Sequence, residues 1–249
     1  MQPPPREQLA IYPAAALFNA RETLFNTSLV QELERRHGYR THFPQRDGFE
    51  FADLFGALQE VLPAGTPASE IQEAVQLIIY YLDMGLFLAS SDVVVANLDE
   101  SLDEGVIVEV SYARLMGKPV VGLRTDVRTP FGSAGDTLGG VHFFPALQSH
   151  EFLTVHLPGN LDPTKAEEQF RALSDAIDDS IRGLVPASGA PLPSYALQNP
   201  EIKQLLEGAE LLFHALRIGE INTNEGIQLV VDRYVKSRQS LAKIFPRVR

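Results

Sequence analysis

The stretch Ser91–Thr125 constrains the fold of this chain more than any other. Within it, Asp92-Val-Val-Val-Ala-Asn97 is a short apolar run rich in β-branched residues. That pattern suits a strand buried on both faces of a parallel sheet. Leu98–Glu104 is an acidic, turn-rich loop. From Gly105 to Met116 the period becomes helical, with Val106, Val110 and Ala113 on one face and Gly117 placed as a C-terminal stop. Lys118–Leu123 then reads as the next strand. Parallel strands joined through a helix form a βαβ unit, and ligands of such folds bind beyond the carboxyl ends of the strands. Asp99, Glu100, Asp103 and Glu104 fall at that end, and Glu109 lies one turn into the helix.

Carboxylates in that place have two readings. The helix amino terminus is positively biased and favours an ionised acid. An ionised carboxylate beside a sugar can attack its anomeric carbon while a second carboxyl group protonates the departing group. The same residues also read as a helix cap at Asp103 with solvated charges at Glu104 and Glu109, because acidic first turns are common. Spacing leaves both open.

The order of motifs adds to this. Asp103-Glu-Gly105-Val-Ile-Val-Glu109-Val-Ser111-Tyr112-Ala113 is followed by Gly117-Lys118-Pro119 and by Gly122-Leu-Arg-Thr-Asp126. The succession resembles the nucleoside 2-deoxyribosyltransferase family, with its D-x-G-x-x-x-E-x-G-Y-A, G-K-P and G-L-R-T-D elements. Ser111 stands where the family usually has glycine. Ile11–Asn19 also resembles the family's first strand and loop, so the likeness runs over roughly residues 9–130. It implies a flavodoxin-like α/β three-layer sandwich on a mostly parallel five-stranded sheet. It further implies transfer of a 2-deoxyribosyl group between nucleobases, with Glu109 as nucleophile and Tyr12 in contact with it. Asp83 and Asp103 are the matching positions for holding sugar and base, and are candidates for protonating the leaving base. Phe18, Asn19, Asp99 and Gly105 join the expected substrate-binding set. The implied partners are a deoxynucleoside and a free nucleobase, in a homo-oligomer, with no metal or other cofactor. Two alternatives stay open: an N-glycosidase acting on nucleosides or their 5′-monophosphates, with Arg46, Arg124 and Arg128 as phosphate candidates, and a non-catalytic nucleotide-binding module.

Composition narrows the classes. A net charge of −11 argues against a nucleic-acid backbone or an anionic membrane as main partner. The chain has no cysteine, which excludes disulfides and cysteine–zinc sites and fits a cytoplasmic protein. Met1–Gln8 is proline-rich and polar, so a disordered leader without a signal peptide is expected. No apolar run is expected to approach membrane-spanning length. G-x-G-x-x-G, Walker A, H-E-x-x-H and G-x-S-x-G patterns are all missing.

In chain order, Leu9–Ala16 reads as the first strand. Asn19 is placed to cap a helix reaching His37, with Glu22 as box partner and Gly38 as stop. Tyr39–Phe43 is a short second strand. The loop Pro44–Glu50 offers Gln45, Arg46, Asp47 and an aromatic, groups that hydrogen-bond and stack on a base edge. Phe51–Val61 is helical. A long helix to Ala89 opens at Thr66 or Ser69, and Asp83 interrupts its apolar stripe, so that charge must be paired or at a cleft. Thr125–Gly140 has the composition of a lid. The Asn-Leu-Met element that completes a neighbouring subunit's site in the family is not found; His142 in Val141–Leu147 is the candidate in its place. Phe152–Leu157 reads as the last strand, and a helix opened by Asp162 and Pro163 follows. The expected division is a leader at 1–8, a catalytic domain at 9–185, a linker at 186–198 and a helical extension at 199–249. The extension's two amphipathic helices are expected to join an oligomer contact near Thr125–Gly140, or to cover their own subunit's sheet.

Overall fold

β3 (Val93–Asn97) is the middle strand of the computed structural model, which describes residues 9–129, 132, 136–155, 157, 163–186, 189 and 191–244. Two compact units are present, residues 1–42 with 90–193 and residues 43–89 with 194–249. The leader 1–8 and Asp162 lie outside the described residues, as does part of the Thr125–Gly140 loop.

The first unit carries the sheet. Its strands are β1 (Ala10–Ala14), β2 (Arg40–Thr41), β3, β4 (Val120–Arg124) and β5 (Glu151–Thr154), in the spatial order β2-β1-β3-β4-β5. Every pairing is parallel, so the expectation of a mostly parallel sheet sharpens to an all-parallel one. This strand order is the flavodoxin-like one, and the fold is an α/β sandwich. Side chains alternate across a pleated strand. Ile11, Val93, Val95, Val121 and Leu123 therefore share one face, where they form a buried core with Leu29 and Leu33 of α1 (Ala20–His37) and Leu173, Ile177 and Ile181 of α7 (Pro163–Leu184). The intervening residues face the other way, and α5 (Glu104–Leu115) packs against β1, β3 and β4 with Val106, Val110 and Ala113 buried. Tyr12, one residue after Ile11 and registered with Val94, belongs to that second set. The pleat alone thus turns the Tyr12 ring away from the α1 and α7 core.

The helix ends follow local chemistry. Asn19 caps α1, its Oδ1 accepting from the Arg21 and Glu22 amides. Glu22 reaches the Phe18 amide at 2.9 Å, one residue short of the expected box partner. Gly38 (φ 72°) and Gly117 (φ 70°) take the left-handed conformation as helix stops, where a side chain would be strained.

The second unit is helical: α2 (Pro44–Asp47), α3 (Phe51–Val61), α4 (Ala68–Tyr80) running into a π-helix (Tyr81–Leu88), then α8 (Ser194–Gln198), α9 (Pro200–Phe213) and α10 (Asn224–Ile244). α9 packs on the π-helix and α10 on α3 and α9. The stripes expected to lack a partner are therefore covered within their own chain: Leu205, Leu212, Phe213, Val230, Val231, Tyr234 and Leu241 are buried here. Residues 43–89 accordingly group with the tail rather than with the rest of 9–185, and the chain crosses between units at 42/43, 89/90 and 193/194. The span Ala68–Leu88 is 21 residues and apolar enough to cross a membrane by length and composition, which corrects the expectation that no run approaches that length. Most of it is buried within the protein.

Close approach holds the π-helix to α9. A Cβ on Gly208 would lie 2.0 Å from the Tyr81 ring, and one on Gly85 would lie 2.7 Å from the Ala209 Cβ. Tyr81 is fully buried and cannot swing into solvent. Gly208→Ala is expected to destabilise this unit by about 1–3 kcal/mol, the usual cost of overpacking, read as a lower urea midpoint. An unchanged midpoint would show that α9 can slide freely along the π-helix.

Candidate active site

Glu109 and Tyr12, 97 positions apart in sequence, meet on the α5 face of the sheet. The Tyr12 hydroxyl donates to Glu109 Oε1 at 2.6 Å. Tyr12 is fully buried. Glu109 keeps a little surface as a residue, while its carboxyl group is enclosed by protein. Burial pushes that carboxyl up from its usual range to about 7; the Tyr12 hydrogen bond opposes the shift and the charge of Asp103 adds to it.

Asp103 holds the start of α5. Its Oδ1 accepts from the Val106 amide at 3.0 Å, the N-cap contact allowed for from sequence. A Cβ on Gly105 would come within 2.8 Å of the same oxygen. The D-x-G spacing thus leaves room for the capping carboxylate. Asp103 also lines a cleft of about 200 Å³ at the carboxyl ends of β1 and β3, together with Asn19, Asn97, Asp99, Glu100 and Arg128. Glu109 is not on that lining. Asp103 connects the two, as a wall of the cleft and as a charge felt by Glu109.

The loops behind the cleft are stitched together by the Arg124–Asp126 segment. Asp99 Oδ1 accepts from the Thr125 amide at 2.6 Å and the Asp126 amide at 3.0 Å, and Asp99 Oδ2 bonds the Thr125 hydroxyl. The Glu100 amide donates to Asp126 Oδ2 at 3.0 Å. Arg124, completely buried, donates to the Leu98 carbonyl at 2.9 Å, pairs with Asp126 at 2.9 Å and also bonds the Arg128 carbonyl.

Residues 11–142 match the family model described as nucleoside 2-deoxyribosyltransferase, more than half of the chain. The chain belongs to the nucleoside 2-deoxyribosyltransferase family. That makes it a member of a family of glycosyl-transfer enzymes that act on nucleosides and nucleobases. No curated protein matches it. Among solved structures it is similar to a conserved protein from Enterococcus faecalis at 20% identity and a TM-score of 0.36, over 71% of this chain and 98% of that one.

Set against the positions that family resemblance implied, the structure brings Glu109, Tyr12 and Asp103 together, with Asn19 and Asp99 on the adjoining cleft. Asn19 and Asp99 are already engaged, one as the α1 cap and the other in the Thr125–Asp126 contacts. Phe18 is largely exposed just before α1. Gln45, Arg46, Asp47 and Asp83 all belong to the second unit. There Arg46 and Asp47 bond each other at 2.8 and 3.1 Å, and Asp47 also accepts from the Phe43 amide, so they shape α2. Asp83 sits in the π-helix, half-buried. His142 caps α6 (Phe143–Gln148) through its ring nitrogen and the Phe144 amide. Of the arginines considered for a phosphate, Arg124 is buried and bound to carbonyls and Asp126, whereas Arg128 lines the cleft and pairs with Asp126 at 2.7 Å. Sequence reasoning overlooked Asn97 as a site residue. Its signal was a lone amide ending an otherwise apolar strand. Among the described residues, no group of three or more His, Asp or Glu side chains is arranged to hold a metal ion.

Proposed function

We propose that this chain transfers a 2-deoxyribosyl group from one nucleobase to another through a covalent ester on Glu109. The observation that carries the reading is the 2.6 Å contact between the Tyr12 hydroxyl and Glu109 Oε1, which holds one carboxylate oxygen and leaves the other to react. In the first half-reaction Glu109 attacks C1′ of the deoxynucleoside. The C1′–N bond breaks, its electron pair leaves with the base, and the base takes a proton. Asp103, near Glu109 and on the cleft, is the candidate to pass that proton from solvent to the base. In the second half, a ring nitrogen of the incoming base attacks C1′, its proton is lost, and Glu109 leaves as a carboxylate. Water in place of the second base gives hydrolysis.

Incubation with deoxyinosine, with and without adenine, tests this by chromatography. The expected result is deoxyadenosine and hypoxanthine when adenine is present, and slow release of free deoxyribose without it. Equal release of free sugar in both reactions, with no deoxyadenosine, would contradict transfer and indicate a hydrolase. Asp103→Asn is expected to slow base release more than Asp83→Asn; the reverse order would show that Asp103 is not the acid.

A further inference from the structure

Three successive residues of the loop between β3 and α5 are each tied to one short segment at the end of β4. The Leu98 carbonyl accepts from Arg124 Nη1 at 2.9 Å. The Asp99 carboxylate accepts from the Thr125 amide at 2.6 Å, from the Asp126 amide at 3.0 Å and from the Thr125 hydroxyl. The Glu100 amide donates to Asp126 Oδ2 at 3.0 Å, and its carbonyl accepts from the Arg128 guanidinium. Asp126 in turn pairs with Arg124 at 2.9 Å and with Arg128 at 2.7 Å. Stability alone does not account for this network. Arg124 is completely buried, and its Nε has no partner among the described residues. Apolar side chains of similar volume are often no less stabilising than a buried ion pair, and an unmet buried donor adds to the cost of the pair. The loop so held forms a wall of the cleft through Asp99, Glu100, Ser101 and Asp103, and it ends on Asp103, the cap of α5.

We infer that Asp99 is a positioning residue for the transfer reaction, acting through Thr125 and Asp126 to hold the wall formed by residues 98–103, and that it is not a ligand of the substrate. This rests on the glycosyl-transfer reading of the adjoining site. Its place on the cleft lining fits either role, and its hydrogen bonds decide between them. A carboxylate offers about four acceptor sites. Protein donors fill three of those on Asp99. Two of the donors are backbone amides, which cannot rotate away to release it. The third is the hydroxyl of Thr125, a buried residue that is not on the cleft lining. Arg124 anchors the arrangement from behind, because it holds the Leu98 carbonyl and Asp126 at once. The consequence for rate follows from where the wall ends. Asp103 must keep its place relative to both Glu109 and the departing base, and a misplacement of about 1 Å can slow a reaction about 10²-fold.

The test is a paired set of variants at positions 99 and 125, read by kcat and KM with deoxyinosine and adenine, and by amide hydrogen exchange of residues 98–105. Asp99→Ala removes every acceptor and should lower kcat about 10–10²-fold while moving KM less than about threefold. Asp99→Asn keeps a carbonyl oxygen for the two amides and a donor that the Thr125 hydroxyl can accept, so it should recover most of that loss. Thr125→Val keeps the shape of its side chain but lacks the hydroxyl, and should lose kcat in the same way to a smaller extent; Thr125→Ser should recover it. Exchange across 98–105 should quicken in Asp99→Ala and Thr125→Val and stay slow in the other two. Equal losses in Asp99→Asn and Asp99→Ala beside a fully active Thr125→Val, or losses carried by KM, would show that Asp99 meets the substrate. Either result would overturn the inference while leaving glycosyl transfer standing, as would an unchanged kcat in both Asp99→Ala and Thr125→Val. A wild type without turnover that shows the same exchange pattern would sink the glycosyl-transfer reading and would still support the holding of this wall by Asp99.

Discussion

Replacing Glu109 with alanine is expected to lower kcat by more than about 10³-fold while the protein stays folded, because a covalent route has no substitute for the attacking group. Glu109 lies on α5 among residues that pack without it: Val106, Val110 and Ala113 carry the buried face of that helix. Removing its carboxyl also removes a buried acid from the ledger of costs, so the variant should unfold no earlier than the wild type. Tyr12→Phe should give a smaller loss, about 10–10²-fold, since it misplaces the nucleophile without deleting it. Near-normal turnover in Glu109→Ala would end the covalent mechanism whatever the other residues do.

The pH dependence should carry a second large signature. Glu109 must be ionised to attack, and burial lifts its carboxyl to about 7. In the free enzyme, kcat/KM is then expected to fall about tenfold per pH unit below that value. The neighbouring groups act in opposite directions. Tyr12 donates to the carboxylate and lowers the pKa, so Tyr12→Phe should move the acid limb to higher pH. Asp103 raises it, so Asp103→Asn should move the limb to lower pH. Stability follows with the sign fixed. A folded-state pKa of about 7 exceeds the ordinary 4.5, so between those values the native state holds more protons than the unfolded chain. Stability therefore falls as pH rises from the lower value through the higher one, by about 3 kcal/mol in full. Glu109→Gln removes this dependence, and its melting-temperature advantage over wild type should grow between about pH 5 and pH 8. A constant difference across that range would mean that the Glu109 carboxyl is not sequestered from water.

Much of the first unit was legible in the sequence because its signals are local. The apolar run before Asn97, the helical period after Gly105 and the stop at Gly117 each specify an element without help from afar. The meeting of Tyr12 with Glu109 depends on β1 pairing with β3 and on the pleat turning Tyr12 toward α5, and only the family likeness pointed to it. The second unit was harder to read. Its defining contacts, Gly208 under the Tyr81 ring and Gly85 against Ala209, join segments over a hundred residues apart. Small residues give no periodic signal of their own, so the tail stripes looked unpartnered when the partner was the π-helix. Arg124 shows the same limit at the site. Sequence offers it as a free cation for an anion, whereas packing buries it completely and commits it to Leu98 and Asp126.

The most direct test of the mechanism is the intact mass of the wild-type protein after brief exposure to a deoxynucleoside without an acceptor base. The account predicts a species heavier by one deoxyribosyl group, located by peptide mapping at Glu109, which disappears when adenine is added and is never formed by Glu109→Ala. Base release at the full rate with no such species, or an adduct that forms equally in Glu109→Ala, would contradict it.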